Sequence, residues 1–212
     1  MYPLFLKASA EKQRNIINAA LHEFSKHSYD AASTNNIVKE AGISKGILFH
    51  YFGNKKNLYL YVYEYVLDTY TEAIFDALNL EERDIFKRFT QMVSMQMNLL
   101  QQNPAFFNFL NMTTIERSVA VATELEQISN TKQDYSYEKF SFGIDYSLFK
   151  EGINVEYALN ILRWINEGIA HRYEQQFKDA FNDFDEFNKL LNRCAEEMED
   201  YFRFIKPLLY TE

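Results

Sequence analysis

STNNIVKEAGISKGILFHYFGNKKNL, residues 33–58, is the stretch whose reading decides the architecture. Ser33 stands where a helix N-cap is wanted, and Ile37, Val38 and Ala41 give the helix it opens a short buried face. Gly42 falls just past the end of that helix, where the chain needs a positive φ. Ile43 follows as an apolar plug, and Ser44 caps a further short helix expected over about residues 44–51. Two short helices joined through a glycine turn have the form of a helix-turn-helix. Upstream, Ser9 is a natural N-cap, with Glu11 in the first turn where the helix dipole favours an acid. Ile16, Ile17, Ala20, Leu21 and Phe24 then recur at three- and four-residue spacing, one apolar stripe on a helix of about four turns. The first fifty-odd residues are therefore expected to pack as three helices.

The last of these helices carries a surface that a purely structural helix would seldom expose. With Leu48 and Phe52 turned inward, Lys45, Gly46, Phe49 and His50 face outward and Tyr51 lies at the edge. A basic residue, a glycine that lets the backbone come close, an aromatic ring and a histidine suit the DNA major groove. Lys55 and Lys56 open the next helix, where lysines beside free N–H groups make a phosphate clamp. A solvated surface helix is the plain alternative for the same residues.

The run from Ile16 to Leu58 resembles the DNA-binding domain of the tetracycline-repressor (TetR) family. The resemblance rests on the Ile16, Ala20, Leu21 and Phe24 spacing and on Ile37-Val38 followed by Ala41-Gly42-Ile43-Ser44-Lys45-Gly46. It continues through Leu48-Phe49, Tyr51-Phe52, Lys55 and Leu58. By this resemblance the helix from Ser44 to Tyr51 is the recognition helix, Lys45 contacts guanine or phosphate, Gly46 allows close approach, and His50 helps select sequence. The DNA-contacting set it implies is Ser33, Thr34, Asn35, Ser44, Lys45, Gly46, Phe49, His50, Tyr51 and Lys55. Three positions depart from the family pattern: Phe49 replaces a usual tyrosine, Ala32 a common threonine and Ser28 a usual glycine. Losing the phenolic hydroxyl shifts the expected phosphate grip towards Tyr51, Lys55, Ser33 and Thr34. The resemblance also implies an all-α chain, with a helix-turn-helix domain over residues 1–54 and a helical effector-binding and dimerisation domain over 55–212. It implies a homodimer on double-stranded operator DNA, acting as a repressor that a small-molecule effector releases by shifting the connecting helix.

Beyond Leu58 the residues speak for themselves. Apolar spacing predicts a long helix over about 55–78 and another over about 82–101, broken at Asn103-Pro104. A densely aromatic run, Phe106 to Met112, follows, and Asn130–Gly143 reads as a less regular stretch that covers or flanks a cavity. In the final segment Phe184, Phe187, Leu191, Cys194, Met198, Tyr201 and Ile205 form a heptad, and Val155, Ala158, Leu162, Ile165 and Ile169 repeat the same 3-4 spacing. Both helices also carry apolar positions off that seam: Tyr157, Ile161 and Trp164 on one, Leu190, Ala195 and Phe202 on the other. A helix pair apolar on two sides suits a four-helix dimer interface, for which Val155, Leu162, Ile165, Phe187, Leu191, Met198 and Tyr201 are the candidates. Nineteen Phe and fifteen Tyr, with a cluster of methionines, suggest an apolar effector pocket. Its candidate lining is Phe89, Met92, Phe106, Phe109, Tyr137 and Trp164, although aromatics at helical spacing are commonly plain core.

Composition sets the remaining bounds. Six glycines and three prolines in 212 residues are too few for a strand-rich fold, and a lone Cys194 supplies neither a disulfide nor a multi-cysteine metal site. No apolar run approaches a membrane span, and Tyr2–Leu6 is too short for a signal-peptide core, so a cytoplasmic protein without membrane contact is expected. The net charge of −8 hides an asymmetry: residues 1–57 hold eight Lys/Arg against four acids, so the acidity belongs to the body and a +4 head is left to meet phosphate. Four scattered histidines, no phosphate-binding glycine loop and a heptad-bound cysteine argue against an enzyme; no catalytic residue, metal or cofactor is expected. A helical protein-interaction module with a vestigial DNA-binding head is the alternative, which the basic head and the outward Lys45 and His50 disfavour.

Overall fold

Two of the three expected caps are made. The Lys12 amide donates to the Ser9 hydroxyl at 3.3 Å, and the Ile47 amide donates to Ser44 at 3.2 Å. Ser33 occupies the N-cap position of its helix without a side-chain cap bond; the buried carboxylate of Glu23 takes that role and accepts the Ser33 amide at 2.7 Å. In the computed structural model, residues 2–114, 116–180 and 183–211 are described, excepting the side chains of residues 100, 104, 114, 178 and 184. The expected heptad position Phe184 falls among those exceptions.

The helices, in order, are α1 Pro3–Leu6, α2 Ala10–Phe24, α3 Thr34–Glu40, α4 Lys45–Phe52, α5 Lys55–Ala77 and α6 Ile85–Gln102. They continue as α7 Pro104–Thr114, α8 Ala122–Ser141, α9 Val155–Asp179 and α10 Phe184–Leu209, with a 3-10 turn at Tyr146–Leu148. The chain is all-α; among the described residues the only strand-like pairing is one bridge between Phe149 and Tyr210. Two local expectations change. Pro104 opens α7 rather than merely ending α6, since a proline lacks the N–H that a first-turn position would leave unpaired. Residues 130–141 continue α8 instead of running irregularly. No glycine or proline interrupts them before Gly143, and Phe140 turns inward while Tyr135 and Phe142 remain exposed. No helix among the described residues is long and apolar enough to cross a membrane.

Packing divides the chain into two compact units. The first comprises residues 1–70 and 103–134. Its core is a set of rings in edge contact: Phe24 on Tyr59 at 4.8 Å, Tyr59 on Phe109 at 5.5 Å and Tyr29 on Tyr59 at 5.3 Å. Such pairs each add about 0.5–1.5 kcal/mol beyond burial. The short α1, which the sequence did not single out, joins this core. Phe5 is fully buried against Phe52 at 4.7 Å, Tyr61 at 5.3 Å and Tyr51 at 5.6 Å.

The second unit comprises residues 71–102 and 135–212. Here α9 and α10 lie antiparallel, with Phe177 against Phe187 at 5.5 Å and the Tyr173 hydroxyl donating to Glu197 at 3.0 Å. The heptad seam points into this unit. Leu162, Phe187, Leu191 and Met198, expected at a dimer interface, are buried within the chain itself, as is Cys194, whose thiol burial pushes up to about 11. Val155 and Ile165 are half-buried, and of the seven only Tyr201 is exposed. The exposed apolar stripe is instead Tyr157, Ile161 and Trp164 on α9 with Tyr201, Phe204 and Leu208 on α10. Both stripes have helical spacing, and the more continuous one went to the core.

A buried cation braces the same unit. The Arg88 guanidinium donates to the carbonyls of Leu80 (2.6 Å), Phe140 and Phe142 (both 2.7 Å), and also to Glu82, tying the segment before α6 to the end of α8. Charge-assisted bonds of this kind leave orphaned carbonyls when the donor is removed. Arg88→Met is therefore expected to lower unfolding free energy by about 2–3 kcal/mol. A urea titration checks this, and an unchanged midpoint at equal slope would contradict it.

Candidate DNA interface

The helix-turn-helix is held together from below. Glu23, near the C-terminus of α2, accepts the Ser33 amide and the Asn36 side-chain amide at 3.1 Å, so one buried carboxylate caps α3 from a neighbouring helix. An acid at a helix N-terminus also meets the positive end of its dipole. Gly42 turns the chain at φ +66°, a conformation other residues rarely adopt. Leu48 and Phe52 are buried beneath α4 as the spacing requires. Glu23→Ala is expected to lose about 1–2 kcal/mol of stability through the orphaned Ser33 amide, readable as a lower melting temperature. An unaltered melt would remove this cap from the account.

On the outer surface of α4, Ser44, Lys45, Gly46 and His50 are exposed. Phe49 is half-buried, and the Lys45 ammonium lies over its ring at 5.8 Å, so the ring replacing the usual tyrosine supports the neighbouring cation. Ile47, which the sequence did not flag, is 37% exposed on the same helix and adds an apolar group suited to a thymine methyl. Gly46 needs no special backbone: a Cβ there would meet only the Ser44 hydroxyl oxygen, at an ordinary 3.8 Å. The fold leaves room for a side chain at 46, and the space is open towards whatever α4 meets. Thr34 and Ser33 are half-buried and Asn35 exposed at the start of α3, while Tyr51 is half-buried with its ring edge on Phe5.

The expected lysine clamp at the start of α5 is engaged internally. Lys55 donates to the carbonyls of Ala32 (3.1 Å) and Asp30 (3.3 Å) and covers the Tyr29 ring at 4.6 Å. Lys56 pairs with Glu124 at 2.5 Å and holds that carboxyl below its usual range. Sequence alone could not reveal this, because Glu124 lies 68 residues away.

The six expected pocket residues are divided between the two units. Phe109 is core in the first unit, and Phe106 is half-buried there with its ring 6.4 Å from Tyr65. In the second unit Phe89 is core, against Phe140 at 4.7 Å and Phe202 at 5.2 Å. Met92 and Tyr137 are half-buried, Arg163 lies over Tyr137 at 5.1 Å, and Trp164 is 59% exposed. An open groove of about 460 Å³ runs between α6 and α10, floored by Phe86 and Phe202 and edged by Lys87, Arg203 and Lys206. Buried polar atoms without hydrogen-bond partners are found on α6 (Gln91 Oε1), α9 (Asn166 Oδ1) and α10 (Asn188 Oδ1). No group of three or more potential metal-ligating side chains occurs among the described residues.

Comparison with known proteins agrees with this geometry. Residues 16–62 match the family described as bacterial regulatory proteins, tetR family. The chain is 30% identical over 167 residues to the uncharacterized HTH-type transcriptional regulator YuxN of Bacillus subtilis, a match covering 77% of this chain and 54% of YuxN. It is 38% identical over 53 residues to the HTH-type transcriptional repressor AcnR of Corynebacterium jeikeium, covering 25% and 28% of the two chains. The chain thus spans about half of YuxN and less than a third of AcnR. Among solved structures, FadR from Bacillus subtilis in complex with stearoyl-CoA superposes with a TM-score of 0.66 at 16% identity, over 87% of this chain and 96% of that one. A TetR family regulator from Chloroflexus aurantiacus gives 0.62 at 18%, over 99% and 98%. Identities this low show a shared fold.

Proposed function

Because the head of this chain belongs to the tetR family of bacterial regulatory proteins, we propose that the chain is a ligand-responsive transcriptional regulator that grips operator DNA as a homodimer. The observation that carries this reading is the outer face of α4. It exposes Lys45, Gly46, Ile47 and His50 together, on a head with a surplus of positive charge, and the fold itself does not call for a glycine at 46. The reading is tested by selecting bound duplexes from a random library and titrating the winner with salt. A true operator complex emerges with a two-fold-related pair of half-sites and loses affinity steeply as counterions are released. Failure to enrich any sequence would overturn it.

Dimerisation runs, in this proposal, through the exposed stripe of α9 and α10 rather than through the heptad seam. Tyr157, Ile161, Trp164, Tyr201, Phe204 and Leu208 form an apolar surface that a monomer would hide. Repression is the expected direction of control, with a small apolar or aromatic effector releasing the operator. The effector's polar groups find partners in the unsatisfied amides of Gln91, Asn166 or Asn188. The shared fold makes stearoyl-CoA, which FadR binds, the first ligand to try. Work on DNA places the protein in the cytoplasm.

A further inference from the structure

Glu116 follows α7 closely, its amide donating to the Thr113 carbonyl at 3.3 Å, and it is 8% exposed. Three backbone amides donate to its carboxylate: Tyr29 at 2.6 Å, Ser118 at 2.8 Å and Arg117 at 3.0 Å. Tyr29 lies 87 residues earlier, in the segment joining α2 to α3. A second bond parallels it, from the Ser118 hydroxyl to Asp30 Oδ1 at 3.0 Å. The other side of the same segment is held by Lys55 through the carbonyls of Asp30 and Ala32. Residues 29–32 are thus gripped from α5 and from the α7–α8 turn, immediately before Ser33 and Thr34 begin the helix-turn-helix.

A buried carboxylate held by three amide donors is a stiff connection. Opening it strands either a buried anion or a buried N–H, each of which is unfavourable away from water. At its other end the connection is fixed to α7, whose Phe109 is wholly buried against Tyr59 of α5 and, at 6.3 Å, Phe24 of α2. We infer that Glu116 is a positioning residue for operator binding, and that the α7–α8 turn is a strap carrying any displacement of α7 to α3 and α4. The inference rests on the DNA-binding reading above. It adds a route of control that passes through Glu116 and the α2–α3 segment rather than along α5.

The test uses the full chain and the duplex that the parent protein selects from a random library. Glu116→Gln keeps the shape but turns an NH₂ group towards one of the amide donors, which opens the strap. Hydrogen exchange over residues 25–33 should quicken by roughly tenfold, the unbound protein otherwise exchanging as before. Affinity for the selected duplex should fall by about tenfold, while affinity for random-sequence DNA changes by less than about twofold because the phosphate contacts remain. A merely structural role would weaken both kinds of DNA together or neither. Faster exchange with unchanged affinity for the selected duplex would overturn the positioning role, as would unchanged exchange. Should Glu116→Gln fail to fold, Ser118→Ala removes the Asp30 bond, together with a long local one from the Ala120 amide at 3.4 Å, and leaves the Glu116 carboxylate in place; it is expected to weaken selected-duplex binding by roughly two- to fivefold. No change in either measurement for that variant also overturns the inference. If the parent selects no sequence, the DNA-binding reading itself falls, which is a different result from a variant that matches its parent on a selected duplex.

Discussion

Replacing Lys45 by alanine lowers operator affinity by about 2–6 kcal/mol and leaves the protein folded and dimeric. A good base or phosphate contact from a recognition helix contributes about 1–3 kcal/mol. In a homodimer the substitution occurs once per head, and distant sites add. Nothing inside the protein depends on this side chain. It is exposed, and its ammonium lies over Phe49 at 5.8 Å, a surface contact. The loss should therefore appear in a mobility-shift titration and be absent from a melting curve. Equal affinity for parent and variant on the selected duplex would take Lys45 out of the interface.

Trp164→Glu should convert the dimer to a monomer and reduce operator affinity by roughly 10²–10⁴, the advantage of binding through two tethered heads. Trp164 is 59% exposed and sits within the apolar stripe of α9, so a carboxylate there costs the monomer little. Against a second copy of the stripe it would be buried without a partner charge. Sedimentation reads the assembly and circular dichroism the fold. A variant that remains dimeric would move the interface elsewhere, and the seam residue Leu191, fully buried in its own chain, is not a candidate for that.

Legibility from sequence followed the range of the interactions. The head could be read because its determinants are local: a positive-φ glycine at 42, hydroxyl caps at Ser9 and Ser44, and three- and four-residue spacing beneath them. Where a side chain answers to a distant partner, the reading failed. Ser33 is capped by Glu23 rather than by itself, and Lys55 and Lys56 turn to a loop and to Glu124 instead of standing ready for phosphate. The two stripes of α9 and α10 posed another kind of ambiguity. Each has the period of a packed face, and only three-dimensional packing decides which one closes on its own chain. The aromatic content was legible as a number but not as a place, because Phe89 and Phe109 became core in separate units and Trp164 lies on the surface.

The two glycines of the helix-turn-helix answer to different masters. Gly42 is held by the backbone at φ +66°, whereas Gly46 has room for a methyl group and, within a helix, is less favourable than alanine by about 0.5–1 kcal/mol. Selection for folding alone would thus preserve the first and let the second drift to alanine or serine. Among descendants of this protein, a lineage that has ceased to regulate genes should lose the glycine at 46 while keeping the one at 42. Comparing substitution at those two codons would separate working regulators from retired ones before any DNA is bound in a tube.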